Sequence, residues 1–237
     1  MASKRVLAQL PRLKESKIII LCNELARPNA SHGHVDFDLF NRLHPEGRRL
    51  IRSWFDRARN TRYSVNGDCF EAFIYTWFAV NGWAACVTQL DRDYKYIDAL
   101  MRDQWMNHDF SQLMANQSTR LSQSANEFAM LWPIFDVRDL RKRNIRRWQS
   151  DNRQELVTNY LSSGATKFEP QCWERHVNNN QTVPIDWPHT LATIYRVRCN
   201  LFHGEKSLYS QMDQMVVESA FRTLVDFFDE AKYLDSQ

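Results

Sequence analysis

Between Tyr195 and Gly204 the chain reads Tyr-Arg-Val-Arg-Cys-Asn-Leu-Phe-His-Gly. Two side chains in this stretch suit acid–base work on a phosphate ester. His203 can take up or release a proton near neutral pH. Arg198 stays charged at any ordinary pH and can hold a phosphate and the charge that develops on it. Arg196 and Asn200 lie within the same run as supporting candidates.

At about 100° per residue on a helix, Leu191, Ile194, Leu201 and Phe202 fall on one side and Arg198 points into the middle of it. An unpaired guanidinium buried there would cost several kcal/mol, roughly. Arg198 therefore either pairs with a buried acid or opens onto a site or a subunit interface. Arg196, Asn200 and His203 gather on the opposite side, so Arg198 and His203 diverge by roughly 140° on an ideal helix. They act together only if the helix ends or distorts near His203, which Gly204 permits; otherwise Arg196 is the better geometric partner of His203. The plainer reading of His203 is a terminal residue that favours the helix dipole.

Three further features bear on chemistry. Asn81 lies on the apolar stripe of a helix one turn after Trp77, where its amide needs partners; it either ties neighbouring backbone or orients Arg198 or His203. The stretch Arg138–Arg147 holds six basic residues in ten, with Trp148 beside it. Arg141, Arg143 and Arg146 are the candidates there for phosphate contacts, and the plainer reading is a solvated helix face. Cys172 and His176 have a ligand-like spacing, with His32 and His34 elsewhere, but no tight second pair accompanies them, so no metal site and no cofactor is expected. Neither a Gly-rich phosphate loop nor a nucleophile elbow is present in the sequence.

The elements that must position these residues read as helices. Residues 68–90 carry Phe70, Phe73, Ile74, Trp77, Phe78, Ala84 and Val87 at spacings of three and four. Helices are also expected over 46–59 behind Pro45, and over 94–106, 118–131, 134–149, 151–161, 189–203 and 207–234, with a weaker one over 4–25, where the alternative is a strand over Lys17–Cys22. The polar segment 162–188 reads as one long loop. With only 6 Gly and 7 Pro among 237 residues, regular β turns are scarce. The expectation is all-α: a helical bundle, with residues 1–60 as an N-terminal helical extension, 61–237 as the main helical domain with insertion helices within it, or the two as one continuous domain.

Composition agrees with a packed chain: 43% hydrophobic and 13% aromatic residues exclude a disordered one. A net charge of +3 selects no partner class by itself. Five scattered Cys without a CxxC are not a disulfide framework, and no apolar run is long enough to span a bilayer, so a reducing cytoplasm without membrane association is expected.

The run Arg198–Gly204 (RCNLFHG) resembles the Arg-x4-His signature of the HEPN superfamily, often Arg-Asn-x-Leu-x-His-Gly. Phe73–Asn81 (FIYTWFAVN) is similar to the Phe-x-x-x-Trp-x-Ala-x-Asn helix of many bacterial, Apea-like HEPN proteins, and the two occur in the family's order. The resemblance covers about residues 66–235 and leaves 1–60 and 138–147 aside. It implies a HEPN-type helical bundle and metal-independent endoribonuclease chemistry with Arg198 and His203 as catalytic residues. It also implies RNA as substrate and a homodimer that brings two motifs together, in the setting of a toxin or antiphage effector. The alternative is a non-catalytic module that binds RNA or a partner protein. Cys199 departs from the polar residue usual after the Arg. An antitoxin or regulatory protein is a further implied partner, although the toxins paired with a nucleotidyltransferase usually carry Tyr two residues after the His, where this chain has Glu205.

Overall fold

Asp103 shows how local chemistry divides the helices of this chain. The 94–106 stretch has one amphipathic pattern, yet the Asp103 carboxylate accepts from the Trp105 and Met106 amides at 3.0 and 2.8 Å and starts a new helix. The computed structural model describes residues 35–62, 68–145, 150, 152–203 and 210–235. In chain order the first helices are α1 (Asp38–Arg42), α2 (Pro45–Arg62), α3 (Cys69–Thr88), α4 (Asp93–Arg102), α5 (Gln104–Ala115) and α6 (Arg120–Ala129). After strand β1 (Ile134–Phe135) come α7 (Val137–Lys142) and α8 (Arg153–Ser162). Strand β2 (Phe168–Glu169) precedes α9 (Trp173–Asn178), α10 (Trp187–Phe202) and α11 (Gln211–Glu230). The fold is all-α, as the residue pattern predicts.

Helix α3 is the centre. Asp68 caps it by accepting from the Phe70 and Glu71 amides. It is apolar around most of its circumference, as an enclosed helix must be, and packs against α1, α2, α4 and α11. Trp77, Trp83, Trp187, Phe227 and Phe228 are fully buried, each contributing about 2–3 kcal/mol of transfer free energy. Residues from Val35 to Leu234 share one hydrophobic core, so the division at residue 60 does not separate the packing of the described residues. Arg59 of α2 and Arg120 of α6 both reach Asp229 of α11, at 3.0 and 2.6 Å, and tie three helices on the core's flank.

Two expectations fail where tertiary pairing overrides local pattern. Residues 134–149 do not form one helix. Ile134 and Phe135 pair antiparallel with Glu169 and Phe168, and only then does Asp136 cap the short α7. Likewise the 162–188 segment is not a bare loop, because it contains β2 and α9. A smaller core of Phe135, Leu140, Leu156, Val157, Tyr160, Ala165 and Phe168 gathers around this strand pair. The helix expected over 4–25 lies outside the described residues. No helix among the described residues is long and apolar enough to cross a membrane.

Candidate functional site

Helix α10 carries the Arg/His motif, and its sequence explains how it is seated. Asp186 caps its start, and the Trp187 indole N–H donates to the Leu100 carbonyl at 2.9 Å, fixing that end against α4. Leu191, Ile194 and Val197 form the buried stripe. Arg198 sits on the flank of that stripe rather than at its middle, with Tyr195 and Phe202 one turn to either side. The helix ends at Phe202, and His203 is its exposed C-cap, its amide donating to the Cys199 carbonyl at 3.2 Å.

The side chain of Arg198 is 18% exposed and forms an ion pair with Asp93 at 2.9 Å. Asp93 is the first residue of α4. Three aromatic rings surround the guanidinium, with its carbon 4.8 Å from the Phe202 centroid, 5.4 Å from Trp77 and 5.9 Å from Tyr195. Trp77 and Tyr195 are stacked on each other. Burial, followed by the neighbouring Cys199 and Asp93, pushes the Tyr195 phenol well above its ordinary range, so it stays a neutral donor. Arg198 Nε is buried and has no hydrogen-bond partner among the described residues. Of the two routes open to a charge on this helix, the chain takes the internal carboxylate. Phe202 is 40% exposed and Tyr94, beside Asp93, is 53% exposed, so two aromatic faces border this pair in the sequence of its two helices.

No hydrogen bond or ion pair joins Arg198 to His203 among the described residues. Arg196 is not a partner of His203 either. It forms an ion pair with Asp136 and lies 3.9 Å from Glu169. Asn200 is a clear correction to the helical-wheel expectation. It is buried, not on a polar face: its amide donates to the Phe135 carbonyl at 2.8 Å, and its oxygen accepts from the Val137 amide at 3.2 Å. Arg196 and Asn200, one turn apart, thus grip the β1–α7 junction. Asp136 is shared there, one oxygen capping α7 through the Arg138 and Asp139 amides and the other holding Arg196. Asn81 accepts from the Tyr96 hydroxyl and so ties α3 to α4, the helix that presents Asp93. It reaches Arg198 only through that helix.

In the basic stretch, Arg141 is exposed on α7. Arg143 follows that helix and pairs with Asp139 at 2.8 Å, a carboxylate that also lies 3.7 Å from Lys167. Arg146 and Trp148 lie outside the described residues, as do His32 and His34. Cys172 and His176 do not converge; the thiol of Cys172 lies 3.2 Å from the Nε2 of His189 instead. Among the described residues no group of three or more His, Cys, Asp and Glu side chains is arranged to hold a metal ion.

Asp93 was not legible as a partner from the sequence. Its only signal is an acid at the start of a helix, which is ordinary for helix capping. Comparison with family models, curated proteins and solved structures finds no match to this chain.

Proposed function

We propose that the protein is an endoribonuclease of the HEPN type that cleaves RNA without a metal, with Arg198 holding the scissile phosphate and His203 transferring the proton. The observation that carries this reading is a caged arginine five residues before an exposed histidine at the end of the same helix. Asp93 and the faces of Trp77, Tyr195 and Phe202 limit the guanidinium's freedom, so less order is lost when it meets an anion. Five residues on, His203 is open to solvent and to substrate. The ribose 2′-hydroxyl would lose its proton as its oxygen attacks phosphorus, and the 5′ oxygen would leave with a proton. His203 can serve either transfer. The exposed face of Phe202 suits a base stacked beside the cleaved bond.

One observation favours a second reading. The Asp93 carboxylate offsets the charge of Arg198, and no direct bond aligns Arg198 with His203. A module that binds RNA or a partner protein without cutting it would tolerate both features. Incubating the purified chain with labelled RNA in EDTA, beside His203→Ala and Arg198→Ala, separates the two. The ribonuclease reading expects cleavage to fall about 100-fold or more in each variant. RNA bound but intact in the wild-type protein selects the binding module.

A further inference from the structure

The other end of α10 carries a constellation that neither the Arg/His motif nor its resemblance uses. The Sγ of Cys172 lies 3.2 Å from His189 Nε2, and His189 Nδ1 lies 2.7 Å from Asp186 Oδ1. A carboxylate next to Nδ1 fixes the tautomer with the proton on Nδ1, which leaves the Nε2 lone pair facing the sulfur. Asp186 is itself held, because the same oxygen accepts from the His189 backbone amide at 3.0 Å and caps the helix. A nucleophile, a base and an orienting acid therefore stand in line, each within hydrogen-bonding reach of the next. The arrangement does not suit a metal ion, since the two ring nitrogens point away from each other and only one can face a shared ion.

Cys172 is brought to the pair by β2 and α9, which the sequence pattern missed, whereas Asp186 and His189 belong to the start of the expected α10. Pro170 follows β2, and the turn after it delivers Cys172 to the start of α9. Asp186 and His189 come from the first turn of α10. Cys172 and His189 are each partly open to solvent. His189 precedes His203 by fourteen residues, about 20 Å along the helix, so this site is separate from the proposed ribonuclease centre.

We propose that Cys172, His189 and Asp186 form a second reactive site, a thiol nucleophile with its base, that accepts an acyl group from an activated ester or thioester and passes it to water. In the first step the sulfur bonds to the carbonyl carbon while its proton moves to His189 Nε2. The carbon–oxygen or carbon–sulfur bond to the leaving group then breaks, and the leaving group takes that proton. In the second step a water oxygen attacks the acyl-Cys172 thioester. Its proton passes through His189 to the departing sulfur, and the free acid and the thiol are restored. No oxidant or reductant enters. A good leaving group fits this site better than an amide, whose nitrogen must be protonated before it departs.

Cys172 rests as the thiol, so the sulfur needs a base to take its proton as it attacks. Burial raises the thiol of Cys172 first, with the carboxylates of Asp186 and Glu169 adding to it, while its own backbone N–H and Arg175 act in the other direction. Burial also disfavours the Asp186 carboxylate, but hydrogen bonds from the side chain and backbone of His189 hold it below the ordinary range. The groups facing the sulfur are thus Glu169 from β2, Arg175 from α9, and Asp186 and His189 from the start of α10. Asp186 is a positioning residue that acts through His189.

The test uses the full chain with p-nitrophenyl acetate, reading nitrophenolate release and, by peptide mass spectrometry, the acetylated cysteine. Wild-type protein should give a burst of about one equivalent on Cys172 followed by steady turnover. Cys172→Ala should abolish both, and His189→Ala should slow them about 100-fold. In His189→Ala the remaining acetylation should rise only in the alkaline range where the thiol itself ionises, whereas the wild-type rate should be established at neutral pH. Asp186→Asn keeps an N-cap of similar strength. It should preserve helix content and lose about tenfold in rate, with a changed pH profile. Acetylation of Cys172 no faster than that of Cys199 would overturn the proposal, and so would a rate unaffected by His189→Ala or labelling that stops after one equivalent. None of these outcomes depends on RNA cleavage, so this site and the Arg198–His203 reading fail separately.

Discussion

Asp93 and Arg198 form an ion pair at 2.9 Å that joins the first turn of α4 to the last turns of α10. The arginine of the Arg/His motif is therefore answered inside its own chain, and its freedom to meet an anion is set by a residue far from it in sequence. Substituting Asp93 by Asn separates holding from charge. The ribonuclease reading expects Asp93→Asn to bind RNA more tightly, because Arg198 is no longer offset, and to cleave about tenfold more slowly, because the guanidinium is less well placed. Filter binding of an uncleavable RNA and single-turnover cleavage measure the two effects. Equal losses in both would mean that Asp93 only supports the fold.

The basic stretch is expected to govern association more than chemistry. Reversing Arg141, Arg143 and Arg146 to Glu should weaken RNA binding and flatten its salt dependence, by up to about 0.9 in logarithmic slope for each phosphate no longer neutralised. Part of the Arg143 charge is already answered by Asp139 within the chain. Binding isotherms between low and moderate salt give the slope, and an unchanged slope marks the stretch as a solvated face.

A homodimer with a site shared across a two-fold axis is the assembly the HEPN resemblance implies, and it is open to a mixing experiment. Subunits carrying His203→Ala, combined with subunits carrying Arg198→Ala, should recover part of the lost cleavage if each site draws on both copies. A monomer mass by light scattering, or no recovery in a mixed population shown to contain heterodimers, would confine the chemistry to one subunit. The internal Asp93 pair removes the energetic need for a second subunit at Arg198, so the experiment bears on geometry rather than on charge burial.

Much of the bundle was legible in the residues themselves. The Phe70–Val87 spacing gives α3, and Leu191 and Ile194 mark the buried side of α10, because side-chain periodicity and burial act locally; Phe202, expected on that side, is instead exposed, and Val197 fills the stripe. Asp103 could be recognised only by its two amide partners, since an acidic residue inside an amphipathic run is as ordinary on a helix surface as at a cap. Ile134 and Phe135 read as helix because their strand partners, Glu169 and Phe168, lie more than thirty residues away. The candidate site divides in the same way. Arg198 and His203 announce themselves by type and spacing, whereas Asp93, the inward turn of Asn200 and the Cys172–His189 pairing arise from contacts between distant segments.

Acid should loosen the α2–α6–α11 flank only below the ordinary carboxylate range. Burial disfavours the Asp229 carboxylate, but hydrogen bonds from Arg120 and Arg59 outweigh it and hold the group below the usual carboxylate range. A carboxylate depressed in the folded state stabilises fully above its unfolded value of about 4, and that contribution is lost as the pH falls through the folded value. Asp229→Asn should therefore cost about 1–2 kcal/mol at neutral pH, and the difference from wild type should shrink in acid. Urea midpoints at pH 7 and pH 3 measure it; a deficit that persists at pH 3 would assign the loss to packing instead.

Asp136 divides its two oxygens between helices, one to the amides that open α7 and one to Arg196 in α10. A carboxylate used this way is a strut, and struts make gauges. The start of α7, which bears Arg141, is pinned to a point seven residues before His203, about 10 Å back along a stiff rod. The interval between Arg141 and the end of the motif helix is thus set by the Asp136–Arg196 pair. On the ribonuclease reading, that interval sets the span of RNA that can touch both ends.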